Sequence, residues 1–520
     1  MNARHRYTAT VALIVALGGF LMGFDASVIS GVVGFIQPEF GLTEIQLGWS
    51  VASLTLTATL GMMAAGPLSD RLGRRPVLRL AAALFAVSAI LSAVAPGFVT
   101  LVVARMIGGF GVGAALIIAP MYIAEIAAAG QRGRLVSFNQ LNIVIGISAA
   151  FFSNYLVLRL GQSDLAWAAA LRLDEWAWRW MLGLETLPAI VYFLALYLVP
   201  ESPRWLAMRG RDDEALAVLE KAHGGTAAAA ELAAIHDSVS ADARKERVPL
   251  AELFAPAMRL VVTIGIAIAI LQQITGINAV FFYAPMIFEQ SGIGTDASFM
   301  QAVFVGLVNL AFTVVAILLI DRIGRRPLLI AGTAGIAVCM FVLAYGFGSA
   351  TYTITAETAA ALPAELDRAE LEAIIGQTYQ DDVAFKAAAA AALGTAAALA
   401  HEGALVSAAI SMNPTLVLVG ILGFVASFAL SLGPVMWVLF SELFPNRIRG
   451  LAISFVGLIN SATSFLVQLL FPWELANIGS AGTFFVYGAF AVVGLVLVTR
   501  LLPETKGRSL EELEAALVGT

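Results

Sequence analysis

The sequence predicts an all-α membrane protein: twelve transmembrane helices in two six-helix halves, joined by linker helices. Three observations predict it. Of 520 residues, 60% are apolar and only 13% charged, with a mean hydropathy of +0.88. A water-soluble domain is usually about a quarter charged, so these charges are too few to cover a solvated surface, and a lipid bilayer must act as part of the solvent. The apolar residues fall into twelve runs, each close to the ~20 residues that cross the hydrocarbon core as a helix. The third observation is that the two halves of the chain repeat each other.

The spans are placed at 9–31, 46–68, 76–95, 99–121, 136–158, 179–199, 258–283, 298–320, 327–348, 414–438, 450–470 and 481–502. The first run lacks a small-residue cleavage site and is read as a retained helix. An even number of spans puts both termini on one side of the membrane. That side carries 24 of the 30 Lys and Arg, the opposite side five, and one, Arg105, lies within a span. The positive-inside rule then makes the termini cytoplasmic. The expected organisation is a first half over 1–199, linker helices over 200–257, a second half over 258–502 and a cytoplasmic tail over 503–520. The segment 349–413, Ala-rich and acidic, is expected as external helix, because a thirteenth span would break the charge distribution. With one cysteine, Cys339, neither a disulfide within the chain nor a cysteine metal site can form. No metal, cofactor or nucleic-acid partner is expected.

The repeat is specific. Asp70-Arg-Leu-Gly-Arg-Arg-Pro76 recurs as Asp321-Arg-Ile-Gly-Arg-Arg-Pro327. Glu125 precedes Arg132-Gly133 as Glu442 precedes Arg449-Gly450. Pro200-Glu201 closes the first half as Pro503-Glu504 closes the second. A single basic loop with a Gly turn would serve topology alone; two copies at matching cytoplasmic positions point to a duplicated device. Asp70, Glu125 and Glu201 are expected to face Arg74, Arg75, Arg132 and Arg204, and Asp321, Glu442 and Glu504 to face Arg325, Arg326 and Arg449, as a latch at the cytoplasmic gate. The plainer reading is topology with lipid-headgroup contact.

With these motifs go Gly23-Phe-Asp25-Ala-Ser-Val-Ile-Ser-Gly31, Pro120-Met-Tyr-Ile-Ala-Glu125, Arg132-Gly-Arg-Leu-Val-Ser-Phe-Asn-Gln140, Pro200-Glu-Ser-Pro-Arg-Trp-Leu206, Gln272-Gln-Ile-Thr-Gly-Ile-Asn278, Gly433-Pro-Val-Met-Trp437 and Pro503-Glu-Thr-Lys-Gly507. In them the chain resembles the sugar porter family of the major facilitator superfamily, the family of bacterial xylose–proton symporters and animal glucose facilitators. The resemblance runs from about Gly18 to Glu512, apart from 349–413. It implies the major facilitator fold, with substrate bound between the halves near mid-membrane, and a monosaccharide, a proton and the lipid bilayer as partners of a chain that works as a monomer.

The residue types inside the spans agree. Amides in hydrocarbon are costly unless paired or facing a cavity. Gln140 and Asn142 lie on the fifth span, Gln272, Gln273 and Asn278 on the seventh, Asn309 on the eighth and Asn460 on the eleventh. Sugar hydroxyls donate and accept, as amides do, and Trp437 offers an apolar face for a pyranose ring. For Asn142 alone, packing between helices is the better reading; for Gln272, Gln273 and Asn278 together, a sugar site is. The resemblance implies substrate contacts at Gln140, Gln272, Gln273, Asn278, Asn309 and Trp437; Tyr283 and Asn460, which stand beside departures from the family pattern, are further candidates. It also shows departures: Ile147 where a second Gln is expected on the fifth span, Met22 for an aromatic, Phe282 for a Tyr, and Ser461 for a Trp. These imply a pocket with fewer hydroxyl partners than a xylose site and with room for another hexose, a ketose among them.

Asp25 and Arg105 each lie about six residues from the external end of a span, roughly 9 Å deep at about 1.5 Å per residue, so they can meet. A buried charge needs its partner in any case. The resemblance adds that Asp25 carries the proton while Arg105 competes for its carboxylate. Glu185 is placed near an interface and given no role. The expected function is import of a monosaccharide, hexose or pentose, with a proton by alternating access, in a bacterial inner membrane. The rivals are an uncoupled facilitator, which Asp25 argues against, an exporter, which the amide cluster argues against, and a sugar sensor, which the short tail after Pro503 argues against. An enzyme is not expected: His5, His223, His236 and His401 all lie outside the spans. Gly433-Pro434 predicts a bend in the tenth span that serves gating.

Overall fold

The computed structural model describes residues 3–128, 130–243, 248–445, 447–508 and 512. Among them, eleven helices are long and apolar enough to cross a membrane. The segment expected as the sixth span, 179–199, is two shorter helices, Ala177–Gly183 and Thr186–Ala195, parted at Leu184 and Glu185. Pro188 explains the break: it has no N–H to close a turn onto the Leu184 carbonyl, and its ring disfavours helix just before it.

The chain clusters into two compact units. The first comprises Met1–Ser27, Ser53–Ala150 and Arg179–Arg247. Its core is built mostly from Ala, Val, Leu and Ile, such as Ala16, Ala81, Ala115 and Ile118, and its helices approach closely through glycine. A Cβ on Gly23 would come within 2.0 Å of the Ile143 carbonyl oxygen, and one on Gly146 within 2.1 Å of that of Phe20. These reciprocal contacts fix the first span against the fifth, as small residues do between membrane helices. The linker folds onto this unit as helices Pro203–Met208, Asp212–His223 and Gly225–Ala243. Ser202 caps the first of them, its side chain accepting from the Trp205 N–H, with Pro203 in the first turn. Trp205 donates its indole N–H to the Asp70 carbonyl at 3.0 Å.

The second unit comprises Val28–Ala52, Phe151–Trp178 and Val248–Thr520. Its seventh span is not continuous: Arg259–Ile274 and Ile277–Glu289 are separated at Gly276, whose φ is +89°. Within the second piece Tyr283 leaves helical geometry two residues before Pro285, where proline strains the preceding backbone. The tenth span divides likewise into Pro414–Leu430 and Leu432–Leu443 around Ser431. The break lies three residues before Pro434, because the proline fits the first turn of a helix and not its interior.

The segment 349–413 is more than the helix expected of it. It holds a three-stranded antiparallel sheet with β1 Thr351–Thr353 central between β2 Thr378–Tyr379 and β3 Ile410–Ser411. Tyr352 pairs with Tyr379 on one side and Ile410 on the other. Five short helices surround the sheet, and the Ala-rich run breaks at Gly394 into Asp382–Leu393 and Thr395–Ala400. The domain has its own core, in which the rings of Tyr352 and Phe385 stack at 5.6 Å. It is tied to the twelfth span by Asp382, whose carboxylate accepts from both the N–H and the hydroxyl of Ser480.

The Gly276 break yields a prediction. A Cβ there would lie 2.4 Å from the Tyr487 ring, and the positive φ adds backbone strain. Gly276→Ala is expected to destabilise the protein by about 2 kcal/mol, read as a clear fall in the midpoint of thermal unfolding in detergent. An unchanged midpoint would mean that the break tolerates a side chain.

Candidate functional site

In the first unit Asp25 and Arg105 meet. Arg105 Nη1 donates to Asp25 Oδ1 at 2.6 Å and to the Asp25 carbonyl at 3.1 Å, and each residue is only 1% exposed. Gly108, one turn beyond Arg105, makes the space: a Cβ there would stand 2.9 Å from Asp25 Oδ2 and 2.5 Å from Ser88 Oγ. The pair is incompletely satisfied, since Asp25 Oδ2 and Arg105 Nε and Nη2 have no hydrogen-bond partner. Glu185, placed near an interface by its sequence position, is instead 2% exposed. The break at Leu184 puts it in the electrostatic field of both Asp25 and Arg105, and its Oε1 also lacks a partner. Two acids and one base are thus buried within electrostatic reach of one another. Gln140 is exposed on the helix Arg132–Gly161 of the same unit, and Asn142 turns back to the Phe138 carbonyl of its own helix.

In the second unit the amides form one network. Gln272 donates to the Leu432 carbonyl at 3.0 Å and accepts from Asn460 at 2.7 Å. Gln273 donates to Asn460 Oδ1 at 3.2 Å and accepts from Asn278 at 2.8 Å. Asn278 also donates to the Ser464 hydroxyl at 2.7 Å, and Gln468 joins through the same hydroxyl at 2.8 Å. Tyr283 closes the chain, its hydroxyl donating to the Gln468 carbonyl at 3.0 Å. The breaks at Gly276 and Ser431 bring this about: the first turns Asn278 back toward Gln273, and the second places Leu432 beside Gln272. Ser464 and Gln468 were not picked out from the sequence, although they lie four and eight residues after Asn460 on one helical face. Asn309 is buried on the helix Thr295–Ile323. Trp437 is 48% exposed, its ring edge-on to Phe440 at 6.0 Å, so one aromatic face is open.

The duplicated charges build the same device in each unit. In the first, Arg74 grips Glu125 with Nε at 3.1 Å and Nη2 at 3.0 Å, while Nη1 meets Asp70 at 2.9 Å and the Ser69 carbonyl. Ser202 donates its hydroxyl to Glu125 at 2.5 Å. Glu201 accepts from the backbone N–H groups of Arg74 and Arg75, a carboxylate at a helix N-terminus where the dipole favours it. In the second unit Arg325 reaches Glu442 at 2.8 Å and Asp321 at 3.1 Å. Thr505 donates to Glu442 at 2.6 Å, and Glu504 accepts from the N–H groups of Arg325 and Arg326. Gly73 and Gly324, with φ of +103° and +105°, precede these helices. The other arginines have these further side-chain partners. Arg75 and Arg326 donate to the carbonyls of Val199 and Thr499, Arg449 to that of Phe444, and Arg204 to the Ser238 hydroxyl. The side chain of Arg132 lies outside the described residues.

The family described as "Sugar (and other) transporter" matches residues 11–362 and 383–517. The chain belongs to the sugar transporter family. The gap in the match, 363–382, falls inside the 349–413 domain. Among relatives, the D-xylose-proton symporter of Escherichia coli is 35% identical over 550 residues, covering 99% of this chain and 97% of that one. The arabinose-proton symporter of Bacillus subtilis is 34% identical over 508 residues, covering 98% and 94%. The inward-open structure of the xylose transporter XylE from E. coli matches with a TM-score of 0.74 at 32% identity, covering 98% of this chain and all of that one. The structure of the proton:xylose symporter XylE bound to 6-bromo-6-deoxy-D-glucose matches with a TM-score of 0.66 at 33% identity, covering 98% and 99%. Membership makes this chain an integral-membrane transporter with the major facilitator fold, and not an enzyme.

The two charge clusters of the sugar transporter fold differ in burial, and a prediction follows. Arg74 and Glu125 have side chains 4% and 9% exposed, against 12% and 21% for Arg325 and Glu442. Removing one partner of a buried pair costs about 3–5 kcal/mol, less where water can enter. Glu125→Gln is therefore expected to lower the thermal unfolding midpoint clearly more than Glu442→Gln; equal shifts would contradict this reading of the burial.

Proposed function

We propose that this chain imports a monosaccharide together with a proton by alternating access, with both termini in the cytoplasm of a cell whose inner membrane it spans, and that it works as a monomer. The observation that carries the coupling is the buried Asp25–Arg105 pair with its unpartnered atoms. Sugar as cargo is supported by the family, by relatives named as xylose–proton and arabinose–proton symporters, and by the neutral amide network.

The network's amides hydrogen-bond to one another. A sugar must exchange its hydroxyls for those mutual bonds, and it can do so at little net cost because each hydroxyl both donates and accepts. Gln272, Gln273, Asn278, Asn309 and Asn460 are the proposed polar contacts in the second unit, with Tyr283 holding Gln468 in place and Trp437 as the stacking face. Gln140 is the proposed contact in the first. The departures Met22, Ile147, Phe282 and Ser461 support a hexose or pentose other than xylose.

In the proton step, Asp25 is protonated at its free Oδ2. The neutral carboxyl then holds Arg105 less tightly, and the pair loosens. The two-state balance of the transporter thus shifts with the proton and the sugar. The duplicated Arg74 and Arg325 clusters, with Asp70, Glu125, Glu201, Asp321, Glu442 and Glu504, are proposed to hold the cytoplasmic ends of the spans in the outward-facing state.

Uptake of a panel of labelled monosaccharides into proteoliposomes tests this, with and without an inward proton gradient, for wild type and Asp25→Asn. One sugar is expected to accumulate with the gradient in the wild type, and the mutant to retain exchange but lose accumulation. Equal equilibration with and without the gradient would make the chain a facilitator and the buried pair structural. Asn278→Ala is expected to weaken sugar binding about tenfold, the effect of roughly 1.4 kcal/mol for lost hydrogen bonds.

A further inference from the structure

Two cavities lie within the second unit where the 349–413 domain meets the ends of the first and seventh spans, with volumes of about 280 and 220 Å³. They share a wall made of Gln37, Met286, Gln290, Leu399 and Glu402. The amide network does not line either one. By the distribution of Lys and Arg, this face of the chain is the external one.

Polar groups converge on the shared wall. Lys386 Nζ lies 2.8 Å from Glu402 Oε1, and Gln290 Nε2 donates to the same oxygen at 3.0 Å. Burial alone would lower the Lys386 amine, but Glu402 and Asp382 together outweigh it and hold the amine above its ordinary value. Burial alone would raise the Glu402 carboxyl, but Lys386 and the Gln290 hydrogen bond together outweigh it and hold that carboxyl below the usual range. Both are therefore charged near neutral pH and offset each other, so this pair calls for no charged ligand. Gln290 is 8% exposed, and its Oε1 is buried with no hydrogen-bond partner. That carbonyl needs a donor, and an uncharged hydroxyl supplies one at no desolvation cost for a second charge.

We propose that this double cavity is a second monosaccharide site, an external docking place separate from the amide network. A sugar hydroxyl donates to Gln290 Oε1, a neighbouring one binds at the Lys386–Glu402 pair, and the C–H face of the ring rests on Met286 and Leu399. Small-molecule pockets run from about 300 Å³ upward; each lobe alone falls below that, so the two lobes together hold one sugar ring across their shared wall. The inference rests on the reading of the chain as a sugar transporter.

The test is equilibrium binding, in lipid nanodiscs, of the labelled monosaccharide that the wild type takes up. Wild type, Gln272→Ala, Gln290→Leu and Leu399→Trp are compared, the last filling the cavity from the domain side without touching the polar groups. The wild type is expected to bind two sugars per chain at saturation, and each single variant one. Gln272→Ala combined with Leu399→Trp is expected to bind none. If Gln272→Ala alone abolishes saturable binding, or if neither Gln290→Leu nor Leu399→Trp lowers the stoichiometry, only water fills the cavities and the proposal is overturned, while sugar transport stands. If the wild type takes up no monosaccharide at all, the transport reading itself falls, and this site falls with it as a sugar site.

Discussion

A charge or an amide inside a bilayer finds no water, so it must be met from within the chain or leave a polar atom unpaired at a cost of several kcal/mol. The clusters described here meet that constraint to different degrees. Around Arg74 every guanidinium nitrogen has a partner, and the cluster reads as a fixture. The amides of Gln272, Gln273, Asn278 and Asn460 hydrogen-bond to one another, so they can trade those bonds for others of the same kind. Around Arg105 the account does not close: atoms of Asp25, Arg105 and Glu185 are buried without partners. A proton on Asp25 would remove one charge from this cluster and so change how tightly Arg105 is held.

The duplication shows the same physics solved twice. In each unit a glycine with φ near +100° ends one helix and admits a carboxylate to the start of the next, Glu201 against Gly73 and Glu504 against Gly324. An arginine in that next helix spans an acid at i−4 and a second acid from another span, and the residue after the helix-start carboxylate, Ser202 or Thr505, donates to the second acid. Helix dipole, guanidinium fork and hydroxyl are thus combined in one compact joint.

Much of this was legible in the sequence because membrane helices are long and their polar residues few. The spans followed from apolar run length, the two joints from a repeated heptapeptide, and the amide network from residue type alone. The rest depended on backbone breaks and on distant contacts. Pro188 signals the division of the sixth span, but only the resulting geometry carries Glu185 to Asp25. Gly108 reads as one glycine among many until its missing Cβ is seen to leave room for a carboxylate. Ser202 and Thr505 were present in the matched Pro-Glu-Ser and Pro-Glu-Thr triplets, yet nothing local says that their hydroxyls reach Glu125 and Glu442. The sheet of 349–413 escaped because its strands are two or three residues long, too short for a period of two, and lie up to 60 residues apart.

The central claim is that Asp25 carries a proton inward with each sugar. The most direct measurement is the internal pH of liposomes holding the protein and a pH-sensitive dye, followed on adding sugar outside with no imposed gradient. The account predicts that sugar acidifies the interior for the wild type and not for Asp25→Asn, although the mutant still exchanges sugar. Sugar entry without acidification in the wild type, or equal acidification in both proteins, would contradict it.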